Sequence, residues 1–149
     1  VYAGRRKTEV ICDESYGLDK FLVELCAEEL KVKGQIPSAP ERCDGCYRMR
    51  LLRAARMARE RGAEAFTTTM LVSPHQYHDR LRDIGEEIAE SEDVPFLYRD
   101  FRPLAKAGLD RAKRYQLYRQ NYCGCIFSEY DRFKDTGKSL YRDPEESHS

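Results

Sequence analysis

Four of the chain's six cysteines stand in two short motifs, Cys43-Asp44-Gly45-Cys46 and Cys123-Gly124-Cys125, each with a glycine between the thiols. A thiolate can bind a soft metal or cycle between dithiol and disulfide, and a glycine permits the tight backbone that such close spacing calls for. Spacing alone leaves two chemistries open. In one, all four thiols hold a single centre, either tetrahedral zinc or clustered iron. In the other, one pair holds metal and the second pair carries electrons. Cys-x-Cys is a poorer zinc knuckle than Cys-x-x-Cys, and Tyr118, Arg119, Tyr122 and Phe127 around Cys123 and Cys125 read as a pocket wall. Cys12 and Cys26 stand alone, and Cys26 falls on an apolar helical stripe where a core thiol belongs. His75 and His78, three residues apart, are further candidate ligands.

These motifs need a scaffold, and 149 residues suit one domain with one core. The formal net charge is zero, so no global field draws the chain to nucleic acid and any such contact must come from a local patch. No apolar run approaches the roughly 18 residues of a membrane span, and no signal-like segment opens the chain. The expectation is a cytoplasmic protein with no membrane partner. In a reducing compartment, paired cysteines are metal ligands or redox thiols rather than structural disulfides.

Residues 1–13 carry no decisive pattern. The apolar positions Leu18, Phe21, Leu22, Leu25, Cys26 and Leu30 predict a helix over 18–33, and Pro37 and Pro40 mark 35–41 as a linker. A second helix is expected to begin at Cys46 and run to about residue 61, with Tyr47, Leu51, Ala54, Ala55 and Ala58 on its apolar face. Residues 65–72 read as a buried strand. Ser73, Pro74 and Gln76 then read as cap, first helical proline and capping-box partner of a helix reaching about residue 90, with Leu81, Ile84, Gly85 and Ile88 inward. Residues 93–98 read as a second strand. Strand, helix and strand with short connections predict a parallel sheet, whose ligands would lie at the strands' carboxyl ends. Thr68, Ser73, His75, Arg99 and Arg102 fall there. A further helix is expected over 104–115 with Leu109 and Ala112 inward, and a polar, mobile tail over 129–149.

Four blocks then stand in a recognisable order. They are Glu41-Arg42-Cys43-Asp44-Gly45-Cys46-Tyr47-Arg48-Met49-Arg50-Leu51, residues 66–75, Asp100-Phe101-Arg102, and residues 117–128 with Tyr118-Arg119-Gln120-Asn121-Tyr122-Cys123-Gly124-Cys125 at their centre. Over 41–128 the chain resembles the epoxyqueuosine reductases of the QueH family. The resemblance implies an α/β fold: a parallel-sheet, HUP-like (adenine nucleotide alpha hydrolase-like) domain with helices flanking a small sheet. Family members carry an adjacent Cys-Cys pair on a first strand, which this chain lacks, and Arg5-Arg6-Lys7-Thr8-Glu9 resembles the basic helix that follows it. One catalytic domain over 1–128, N-terminally incomplete, is therefore expected.

The family's activity is removal of the epoxide oxygen of epoxyqueuosine at the wobble base of tRNA, the last step of queuosine synthesis. By resemblance, Cys43 and Cys46 are ligands of a [4Fe-4S] cluster. Cys123 and Cys125 are a redox pair or help hold a second, mononuclear iron. Tyr118, Tyr122 and His75 are candidate proton donors. Arg99, Arg102 and Arg119, with Thr68, Ser73 and His75, would meet the anticodon loop, and an electron donor is required. The competing expectation is a truncated, non-catalytic paralogue or a small zinc-binding module.

Overall fold

In the computed structural model, residues 9–11, 17–23, 25, 39–120 and 122–136 are described. Cys12, Cys26 and the readings of 26–38 and 137–149 lie outside them. The chain divides into two units, Val1–Arg102 and Pro103–Ser149.

In the first unit, the 3.6-residue period of Cys46, Tyr47, Leu51, Ala55 and Ala58 sets the buried stripe of α1, Glu41–Glu60. This helix begins five residues before the expected start at Cys46. Pro40 stands at its N-cap and Glu41 and Asp44 lie in its first turn, where acidic side chains meet the partial positive charge of the helix end. Both thiols of the first motif are therefore helical. Gly45 serves a different purpose from the expected tight turn: a Cβ there would run into the Leu25 side chain. Residues 18–23 are helical, and Phe21 and Leu25 are buried.

α2, His78–Glu92, packs its buried Leu81, Ile84 and Ile88 against the same core as Tyr47, Leu51, Ala55 and Leu71. Gly85 lies where α2 meets Phe96, whose ring occupies the space a side chain would need. Ion pairs follow the seam between the helices: Asp44 with Arg80, Arg48 with Glu87 at 2.7 Å, and Glu92 with Arg56 and Arg59 at 2.9 and 2.7 Å.

The two expected strands reduce, among the described residues, to one parallel bridge between Phe66 and Phe96. The Phe66 N–H donates to Pro95 O at 3.0 Å and the Leu97 N–H to Phe66 O at 2.8 Å. The threonines explain why pairing stops there. Thr67 Oγ1 donates to Leu97 O at 2.8 Å, and Thr68 Oγ1 accepts from the Met70 N–H at 3.2 Å, starting a 3-10 turn over Thr69–Val72. The Thr67 hydroxyl takes up the Leu97 carbonyl across the bridge and the Thr68 hydroxyl a nearby N–H, in place of further ladder bonds. β-branched composition suggested a strand, and side-chain hydrogen bonding overrode it.

The expected helix start at Ser73 is also displaced, because α2 begins at His78. Gln76 does not close a capping box. Its Oε1 accepts from the buried Tyr47 hydroxyl at 2.7 Å, which holds 73–77 as a turn.

The second unit contains α3, Ala105–Arg114, and α4, Ile126–Phe133. Ala112 is half-buried, but Leu109, expected inward, is 46% exposed. α4 takes in residues 129–133, which were expected to open the polar tail. Its anchor is Phe133, met edge-on by Tyr122 at 6.0 Å.

Candidate functional site

Cys43 and Cys46 lie three residues apart in the opening turns of α1, which brings their side chains to one side of the helix. Cys46 is buried and Cys43 half-buried against the core, and neither is in a disulfide. Between them Asp44 turns one carboxylate oxygen to Arg80, while its Oδ1 is buried without a hydrogen-bond partner.

The turn over 73–77 is tied directly to this region. The Tyr47 hydroxyl donates to Gln76 Oε1 and accepts from the Tyr77 N–H at 3.2 Å. His78, buried at the start of α2, places Nε2 at 3.0 Å from Ser73 O and Nδ1 at 3.4 Å from the Tyr98 hydroxyl. A carbonyl only accepts, so Nε2 carries a proton, and in the neutral imidazole Nδ1 is the acceptor for the Tyr98 hydroxyl. That satisfied imidazole is a structural clasp. His75 is exposed.

The remaining candidates of this unit are already engaged. Ser73 Oγ accepts from the His75 N–H at 3.3 Å, and Thr68 caps its 3-10 turn. Arg102 holds Asp100 in a two-toothed grip, Nε at 2.8 Å and Nη2 at 2.6 Å, and the Asp100 carboxyl is lowered to about 2 by that guanidinium and the Arg102 N–H. Arg99 stacks over Phe101, 5.8 Å from the ring centre.

In the second unit the decisive geometry is local. Gly124 has φ +91°, and a Cβ there would stand 2.7 Å from the Gln120 amide, which donates to Tyr122 O at 2.8 Å. This bend brings Cys123 Sγ to 3.7 Å from Cys125 Sγ. Cys125 is the N-cap of α4, and its sulfur accepts from the Ser128 N–H at 3.4 Å. The Cys123 S–H and that backbone donor stabilise the Cys125 thiolate, lowering its pKa to about 5, while Cys123 is pushed well above the ordinary thiol range. Helix N-termini and neighbouring donors have this effect on thiols generally. The pair therefore holds one proton, on Cys123. Tyr122, half-buried beside Glu129 and Tyr118, has its phenol raised by desolvation and then by those neighbours. Tyr118 is 80% exposed and Arg119 is exposed.

Sequence reasoning missed Cys125 as a cap, because cysteine is not among the residue types that signal one. It also missed Tyr47 as the holder of the 73–77 turn, for which a buried tyrosine offers no linear signal. Among the described residues, no three His, Cys, Asp or Glu side chains are grouped as a metal shell. No helix among the described residues is long and apolar enough to cross a membrane.

The chain matches the family profile described as epoxyqueuosine reductase QueH over residues 2–131. A Thermotoga maritima protein of that name is 40% identical over 94 residues, covering 62% of this chain and 49% of that protein. One from Dehalococcoides mccartyi is 35% identical over 125 residues, covering 84% and 63%. One from Helicobacter pylori is 34% identical over 125 residues, covering 79% and 33%. The chain thus spans between a third and two thirds of the length of these curated relatives. A profile match across nearly the whole chain, taking in both cysteine motifs, places it plainly: the chain belongs to the epoxyqueuosine reductase QueH family.

Proposed function

We propose that this chain provides the chemistry of an epoxyqueuosine reductase, converting epoxyqueuosine to queuosine at the wobble position of tRNA. The reaction takes up two electrons and two protons, cleaves both carbon–oxygen bonds of the epoxide, forms a carbon–carbon double bond and releases water. The observation that carries this reading is the Cys123–Cys125 pair, 3.7 Å apart with the Cys123 thiol donating to the Cys125 sulfur. Such a pair can release two electrons by closing a disulfide or, as thiolates, serve as soft metal ligands.

Cys43 and Cys46 would hold two corners of a [4Fe-4S] cluster. Their fit rests on two soft donors one helical turn apart at a helix start, which favours thiolate. When bound, such a group supplies single electrons and a Lewis acid for oxygen, and a second, mononuclear iron at Cys123 and Cys125 is the alternative use of that pair. Tyr122 keeps its phenolic proton, as a donor to a departing oxygen must. The Phe66–Phe96 bridge, parallel and followed by the 73–77 turn, is consistent with one edge of a HUP-like sheet. The electron donor is a separate protein or small reductant, and the compartment is cytoplasmic.

Anaerobic reconstitution followed by iron and acid-labile sulfide assays, with turnover of epoxyqueuosine-containing tRNA, tests this. About four irons with matching sulfide and formation of queuosine are expected. One zinc without sulfide, or no conversion by cluster-loaded protein, overturns it.

A further inference from the structure

We propose that α3 and the turn after it form an RNA-backbone clamp, in which Lys106, Lys113 and Arg114 bind phosphates and Tyr118 offers a stacking face. The proposal rests on the tRNA reading above for its partner and deepens it by naming the surface.

The structure sorts the cations. In the first unit Arg48, Arg56, Arg59, Arg80 and Arg102 all face carboxylates, including Arg102, an expected phosphate contact. From Lys106 to Arg119 the chain carries Lys106, Arg111, Lys113, Arg114 and Arg119 against Asp110 alone, although the whole chain is neutral. All five are exposed, and none forms an ion pair among the described residues. Helical spacing puts Ala105, Leu109 and Ala112 on one side of α3 and sets Lys113, Lys106 and Arg114 along an arc from its flank to its far side. Gln116, at φ +52°, then ends the helix and turns the chain toward the exposed Tyr118 and Arg119.

Cations in the last turn of a helix also stabilise it, by about 0.3–1 kcal/mol each at low salt. That accounts for Arg111, Lys113 and Arg114 as residue types, but not for Lys106 in the first turn, for Arg119 beyond the helix, or for an exposed tyrosine between cations. A cationic face with interleaved aromatic surface is what single-stranded loops of RNA require: phosphate neutralisation for affinity and a π-face for an unstacked base. An acidic protein would use the charges and leave the tyrosine without a role.

The test is binding of a transcribed, unmodified tRNA to the full chain without iron, by fluorescence anisotropy across a range of salt. Each lost phosphate contact lowers the slope of log affinity against log salt by roughly 0.7–0.9. Lys113→Gln/Arg114→Gln should therefore weaken binding and reduce the slope by roughly 1.5, with circular dichroism unchanged. Arg132→Gln/Lys134→Gln at the C-terminal end of α4, an equal change of charge, should leave the slope in place. Tyr118→Ala should weaken binding without moving the slope.

An unchanged slope in the α3 variant overturns the proposal, as does an equal loss in the α4 variant. So does weakened binding of polyglutamate with RNA binding unmoved. The reductase reading fails separately. Cluster-loaded protein that does not turn over, while α3 variants lose the salt slope, removes the reaction and keeps the clamp. Turnover that proceeds with α3 variants binding RNA normally removes the clamp and keeps the reaction.

Discussion

Replacing Tyr47 by Phe removes one oxygen atom from the best-buried ring of the first unit, and its cost can be worked out from two distances. The hydroxyl donates to Gln76 Oε1 at 2.7 Å and accepts from the Tyr77 N–H at 3.2 Å, while the ring is 1% exposed. Phe keeps the ring and its contacts, so no cavity forms and only the hydrogen bonds are lost. At about 1 kcal/mol net for each bond, the loss is about 2 kcal/mol, a substantial share of the roughly 5–15 kcal/mol by which domains are stable. With a urea dependence of about 1–3 kcal/mol per molar, the unfolding midpoint should fall by about 1 M without a change of slope. Gln76→Ala should cost less, since Tyr47 can still accept from Tyr77. The double variant should fall short of the sum by about 1 kcal/mol, because the two side chains share a bond. A Tyr47→Phe protein within about 0.5 kcal/mol of the parent, or strict additivity with Gln76→Ala, would refute the claim that this hydroxyl organises the 73–77 turn.

Gly85→Ala sets a helix-propensity gain of about 1 kcal/mol against overpacking of about 1–3 kcal/mol on the Phe96 ring. Urea unfolding should show net destabilisation in the parent and stabilisation in a Phe96→Ala background. Gly124→Ala, at φ +91° and against the Gln120 amide, should cost about 1–3 kcal/mol of local strain and slow closure of the Cys123–Cys125 disulfide, read by thiol titration after mild oxidation. In iron-free protein the Cys125 pKa is lowered to about 5, so its thiolate persists at neutral pH and is lost as pH falls through that value. Alkylation by iodoacetamide, located by mass spectrometry, should therefore have its midpoint near 5 at Cys125 and a higher midpoint in a Cys123→Ala variant, which removes the S–H donor and keeps only the Ser128 N–H. A midpoint near that of free cysteine, about 8.5, would contradict the shared proton.

Much of the scaffold could be read before any coordinate was known. The stripe from Tyr47 to Ala58 and the one from Leu81 to Ile88 followed from helical periodicity, because a helix that buries one face must repeat apolar residues every three or four positions. The two thiol motifs and the family they signal were likewise written in residue types and spacing. Where 65–76 was concerned, the sequence misled: its threonines and its Ser-Pro-His-Gln block had two uses for each side chain, and the choice fell to partners far along the chain. Tyr47, twenty-nine residues away, took Gln76 from the capping box. The Thr67 hydroxyl took the Leu97 carbonyl across the bridge, and the Thr68 hydroxyl closed a local bond, where a ladder was expected. Spacing also could not say which of two adjacent thiols keeps the proton. Only the folded chain decides that, by starting α4 at Cys125 and leaving Cys123 outside the helix. Linear patterns report what each segment buries, and hydrogen bonds between distant segments settle which polar group is left to do chemistry.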